Sequence, residues 1–167
     1  RGVNYVITLL GTSGPTPNFY RFFAKWLIED PKLGVLIKYK GNRNGISLTD
    51  LQAYTSSDDS LGDVIQRAQD TQRMHLLPDL ISPADAALAS DFSVGVGSIS
   101  SSVVAALQGG KVFFIDYDQL DQGPQSPYTI FHSLGPNRCI FHNLEILKKE
   151  VLKHVANPKS NPFLGDV

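Results

Sequence analysis

Residues 91–115 read DFSVGVGSISSSVVAALQGGKVFFI. An apolar run, Phe92 to Val96, passes into two alternating glycines and then a cluster of serines. A second apolar run, Val112 to Ile115, follows a glycine pair. Short apolar runs bounded by glycine read as strands buried on both faces of a sheet. The small-residue stretch between them, Ser101 to Gln108, reads as a helix. Strand, helix and strand in such close succession form a parallel crossover. That unit predicts an α/β fold with helices covering the sheet.

The same alternation extends in both directions. Tyr5 to Leu10, YVITLL, is a β-branched and apolar strand. Asn18 is placed to cap a helix, on which Phe19, Phe22, Phe23, Trp26 and Leu27 form an apolar stripe ending near Pro31. Leu33 to Tyr39 is a second strand, followed by a weakly patterned connection that reaches Asp59. Ser60 with Asp63 fits a capping box before Leu61, Val64, Ile65 and Ala68. Met74 to Leu77 is a short third strand closed by Pro78, and Ser82 with Pro83 opens a short helix through Ala89. Arg138 to Phe141 is a sixth strand, and Asn143 caps a last helix carrying Leu144, Leu147 and Val151. Asp116 to Asn137 reads as a long loop. The tail from Asn157 to Val167 is expected to cross the surface with Phe163 and Leu164 docked. Right-handed crossovers turn this series into a three-layer α/β sandwich. Its mostly parallel, six-stranded, Rossmann-like sheet is expected in the order 3-2-1-4-5-6.

Composition narrows the class. A chain of 167 residues with 42% hydrophobic residues has the length and apolarity of one soluble domain. Its formal net charge of -1 gives no support to a nucleic-acid partner. Cys139 is the single cysteine, so no internal disulfide framework exists. No apolar run is long enough to span a membrane, and no secretion signal is visible. The chain starts at Arg1 and is core-like from Val3, so residues 1–167 are expected to be one part of a longer protein.

The serine cluster carries the chemistry. Glycines at 95 and 97 permit a tight exit from the strand and a close backbone approach. Ser98, Ser100, Ser101 and Ser102 crowd the first turn of the next helix. That turn has unpaired N–H groups and the positive end of the helix macrodipole, so a phosphate fits there. The plain alternative is a helix start rich in capping residues. The stretch is neither the dinucleotide fingerprint nor a P-loop, since the required glycine spacing and GK[ST] are missing.

VGVGSISSSVVAALQGGKVFFIDY resembles a segment near the C-terminal end of GT-B glycosyltransferases and of the sugar-epimerase relatives sharing their fold. The likeness is greatest to bacterial surface-polysaccharide biosynthesis transferases. It implies that the helix start cradles the diphosphate of a nucleotide-sugar donor. The contacts would come from Gly97, Ser98, Ile99, Ser100 and Ser101. It also implies that the chain is the C-terminal, donor-binding half of a two-domain enzyme. The missing N-terminal domain would be the partner and would supply the catalytic base. The expected location is cytoplasmic, at the inner face of the membrane. The nucleotide sugar is substrate, and no cofactor or metal is expected. Such enzymes often carry a glutamate within this helix, near Ala105; the window SVVAALQGG has no acidic residue. A non-catalytic nucleotide-binding or interaction module, or an epimerase-like domain, is the competing reading.

Further candidates lie at other strand ends. Lys38 and Lys40 share a strand face and, with Arg43, could meet the diphosphate; the alternative is an ordinary solvated strand end. Gly11, Thr12, Ser13 and Gly14 form the loop after the first strand and are candidates to line the cleft. Asp116 and Asp118 follow the fifth strand and could hold a ribose or sugar hydroxyl, or simply cap a turn. The four histidines show no metal-ligand spacing, and His75 reads as a core or rim residue.

Overall fold

The structure is a computed structural model of the chain and describes residues 2–11, 17–38, 61–97, 100–116 and 131–167. Six strands form one sheet: β1 (Tyr5–Leu10), β2 (Leu33–Lys38), β3 (Met74–Leu76), β4 (Phe92–Val96), β5 (Val112–Ile115) and β6 (Ile140–Phe141). Their order is β3-β2-β1-β4-β5-β6. Every pairing is parallel. Five α-helices connect or close the described strands: α1 (Pro17–Glu29), α2 (Leu61–Asp70), α3 (Pro83–Leu88), α4 (Ser100–Leu107) and α5 (Leu144–Ala156). The expected α/β sandwich and its strand order are therefore those of the molecule. The proposed capping residue Ser60 lies outside the described residues.

Alternation along the strands divides the core in two. Ile7, Leu9, Val35, Ile37, Val94, Phe113, Ile115 and Phe141 belong to one cluster, with Phe19, Phe23 and Trp26 of α1 and residues of α2 and α5. Leu10, Val112, Phe114 and Ile140 belong to a second cluster, against small residues of α3 and α4 such as Ala87, Ala105 and Ala106. The first layer is aromatic: Phe23 stacks on Trp26 at 5.8 Å and Phe92 on Phe113 at 5.4 Å. Each fully buried large side chain in it contributes about 1.5–3 kcal/mol. The outer pair Lys148–Glu29, at 2.8 Å with Glu29 64% exposed, adds far less.

Caps set the helix starts. Ser82 Oγ accepts from Asp85 N at 3.0 Å, with Pro83 in the first turn. Asn143 Oδ1 accepts from Glu145 N at 2.7 Å and Ile146 N at 3.2 Å. Both are caps the sequence predicts, whereas Asn18, expected to cap α1, lies inside it and its Oδ1 accepts from Arg21 Nη1 at 2.9 Å. β6 is shorter than expected: Arg138 and Cys139 lie outside it, although Cys139 O still accepts from Phe114 N at 2.8 Å. Arg138 O instead accepts from Gly165 N at 3.0 Å, so the tail takes the position next to it.

The tail is docked, but by only one of its two apolar residues. Leu164 is fully buried, whereas Phe163 is 62% exposed, with the Arg138 guanidinium 5.4 Å from its ring centroid. Lys111 Nζ holds the tail through both Asp166 carboxylate oxygens at 2.8 Å and through Leu164 O at 3.2 Å. His154, on α5, packs edge-on against Phe92 at 5.6 Å and bonds Asn161 O through Nδ1 at 2.9 Å.

Candidate functional site

In an open parallel sheet, all strands end on one edge, and ligands bind beyond that edge where the strand order reverses. Here the reversal lies between β1 and β4. Gly11 follows β1 and Gly97 follows β4, so the two loop starts flank this point. Gly11 N donates to Lys38 O at 2.8 Å, and Gly97 N donates to Ile115 O at 2.8 Å. Each bond extends the sheet pairing by one residue before the chain turns away.

Gly97 makes the turn in the left-handed region, at φ +69°. Among the described residues, its chain neighbours aside, no heavy atom lies within 4 Å of the position a Cβ would occupy there. The sequence has glycine where the backbone needs a positive φ. α4 then starts at Ser100. Ser100 is exposed, Ser101 half-buried and Ser102 buried. Among the described residues the Ser102 hydroxyl has no hydrogen-bond partner. The first turn of α4 contains no acidic residue, so nothing on it offsets the positive end of the helix. Ser98 and Ile99, the other two residues of the candidate diphosphate cradle, lie outside the described residues.

Lys38 ends β2, with its side chain only 2% exposed. Its Nζ donates to Pro78 O at 3.0 Å and stands 3.9 Å from Asp79 Oδ1. The lysine is thus at the expected edge, but it is buried rather than solvated and is engaged with the connection after β3. Lys40, Thr12, Ser13, Gly14 and Asp118 lie outside the described residues. Asp116 follows β5 at the same edge; its N donates to Phe141 O at 2.9 Å and its O meets His142 Nδ1 at 2.9 Å. Gly11, Lys38, Gly97 and Asp116 therefore stand at the ends of four adjacent strands, in the lateral order β2-β1-β4-β5.

His142 joins this edge without having been singled out as a site residue. Its place follows from β6 lying beside β5, a relation that its spacing from other histidines does not contain. His75 is an exposed rim residue, with Nε2 at 3.0 Å from Gln72 O. Among the described residues no cluster of three or more His, Cys, Asp or Glu side chains is arranged to hold a metal ion. Among them, too, no helix is long and apolar enough to cross a membrane.

Comparison with protein-family models, with curated proteins and with solved structures returned no match.

Proposed function

We propose that this chain is the donor-binding half of a nucleotide-sugar-dependent, GT-B type glycosyltransferase of polysaccharide biosynthesis. The donor diphosphate would sit where β4 turns into α4. One observation carries the reading: Gly97, at φ +69° and clear of every other described residue around its missing Cβ, leads toward α4 beside the reversal of strand order. In this reading the free N–H groups of the α4 first turn and the hydroxyls of Ser100 and Ser101 hold the diphosphate, together with Ser98 and Ile99. The same groups stabilise charge on the leaving oxygen as the sugar departs. Asp116 is offered to a sugar or ribose hydroxyl. A partner domain supplies the base and the acceptor site, and the cytoplasmic face of the membrane is the proposed setting.

A second reading has its own support. The window from Ser102 to Gly110 contains no carboxylate to hold a sugar. A nucleotide-binding module without transfer activity fits that lack, and it shares the diphosphate site. Turnover by the full-length protein separates the two.

The site itself is tested by calorimetric titration with UDP, CDP, GDP and their sugar conjugates. Wild type is expected to bind at least one of them more tightly than about millimolar. Gly97→Asn suits the test better than valine, because asparagine tolerates the left-handed region and a β-branched residue does not. Its side chain would occupy the open space and weaken binding about tenfold or more. No nucleotide binding by wild type, or binding unchanged in Gly97→Asn, would remove the main support.

A further inference from the structure

α1 and α2 lie side by side over the aromatic layer of the core, and the seam between them opens outward as a groove of about 250 Å³. Lys25, Ile28 and Glu29 line it from α1, and Val64 and Arg67 from α2. On each helix these residues recur at three or four positions, so each set shares one face. Val64 is buried and Ile28 half-buried against the core, which makes the floor apolar. Lys25, Glu29 and Arg67 are exposed and form the rim. α1 ends four residues before β2 starts, and α2 four residues before β3 starts. The groove therefore lies toward the edge where the strands begin, away from Gly97.

The rim charges differ in what already answers them. Glu29 Oε2 accepts from Lys148 Nζ at 2.8 Å, so its charge is met from α5. The Lys148 ammonium is also 5.7 Å from the centroid of the Trp26 ring, which helps to hold it there. Arg67 makes no hydrogen bond or ion pair among the described residues. It stands in the last turn of α2, where the negative helix pole suits a cation but leaves the guanidinium fork open. Lys25 adds a second positive charge on the facing helix. A guanidinium fork beside an apolar floor matches a planar carboxylate carried on a short apolar tail. A doubly charged phosphate fits less well, because Glu29 stands on the same rim. The volume is below that of a drug-sized pocket, so the occupant is small.

We infer that the α1–α2 groove binds a small amphiphilic carboxylate, its head on Arg67 with Lys25 facing it and its apolar tail on Ile28 and Val64. The site is separate from the proposed nucleotide site and does not depend on it.

Amide NMR of the full chain titrated with octanoate tests this. Octanoate is expected to bind with a Kd of about a millimolar or tighter and to shift the amides of Ile28, Glu29, Val64 and Arg67 together. Acetate offers the head alone, and octylammonium the tail with the opposite charge. Both should bind at least about tenfold more weakly. Arg67→Gln changes an exposed side chain and should weaken octanoate about tenfold, with partial recovery in Arg67→Lys. Ile28→Ala should weaken octanoate and leave acetate as it was. Octylammonium binding as well as octanoate would mean apolar adsorption, and acetate binding as well would mean bare charge pairing; either overturns the site. So would wild type showing no shift in the groove amides at about 10 mM octanoate, or undiminished octanoate binding in Arg67→Gln. Nucleotide titrations of Arg67→Gln should match wild type, and a loss there would move Arg67 to the other site and overturn this one.

Discussion

Arg73 closes the C-terminal end of a helix that ends more than forty residues before it. Its Nη2 donates to Leu27 O at 2.8 Å, while Nη1 donates to Asp30 O at 2.7 Å and Leu33 O at 2.6 Å. The last turn of α1 contains no basic residue of its own, so the cation arrives from the start of β3. A planar fork reaches these carbonyls from two separate nitrogens, whereas a lysine offers a single one. Arg73→Lys should therefore cost on the order of 1 kcal/mol, and Arg73→Ala about 2–3 kcal/mol. Urea unfolding followed by far-ultraviolet circular dichroism checks both. A loss below a few tenths of a kcal/mol in Arg73→Ala would show that water replaces the guanidinium without penalty.

Gly165 is the second position where the backbone decides. It has φ +76°, and an added Cβ would lie 3.0 Å from Lys111 Cβ and 3.1 Å from Phe113 Cε1. Its N and O also bridge Arg138 O and Val112 N. Strain and overpacking act together, so Gly165→Ala should destabilise by about 2–4 kcal/mol. Thermal unfolding would show it as a fall of several degrees in Tm. An unchanged Tm would mean that the tail is not part of the cooperative unit.

Alkaline pH offers a third test. Burial pushes the Cys139 thiol up to about 11 from 9.0, with the Arg138 charge opposing the rise. Its Sγ donates to Asp166 O at 3.3 Å. Because the pKa is raised in the folded protein, the unfolded chain loses this proton first. The contribution is complete below pH 9.0 and is lost as pH climbs toward about 11. At its full extent the loss is on the order of 2 kcal/mol. Tyr5, also raised by burial and by its bond to Asp30 at 2.6 Å, adds a loss of the same sign that begins above its ordinary value of 10.0. Comparing urea midpoints for wild type and Cys139→Ala at about pH 8 and pH 10 isolates the thiol. Equal pH dependence in the two proteins would exclude it as the source.

Much of the fold was legible because the strands are continuous apolar runs. Phe92–Val96 and Val112–Ile115 need no partner to be recognised, and their parallel pairing follows from the helix between them. Ser82 and Asn143 were readable as caps for the same local reason. The fate of Lys38 was not local. A lysine ending a strand looks solvated in sequence, and its bond to Pro78 O joins it to a residue forty positions on. Phe163 and Leu164 look equivalent as neighbours, yet the turn into Gly165 buries one and leaves the other outside. At the candidate site, Gly97 was legible as a glycine the turn requires, whereas the company of Asp116 and His142 depends on strand order.

Basic residues gather at the strand starts. Lys32, Arg73 and Lys111 immediately precede β2, β3 and β5, and Arg138 stands two residues before β6. In an all-parallel sheet the crossover helices run back against the strands, so their negative ends return to this same edge. Arg73 and Lys111 are already donating to carbonyl oxygens there. Arg73 thus meets the negative end of α1, while Lys111 is held by the tail and its Asp166 carboxylate. The positive pole of α4, with no acid in its first turn, receives no such answer from its own helix. A formal charge of -1 describes the chain as a whole. It says nothing of local fields: a first helical turn without an acid of its own favours an anion within a screening length of it.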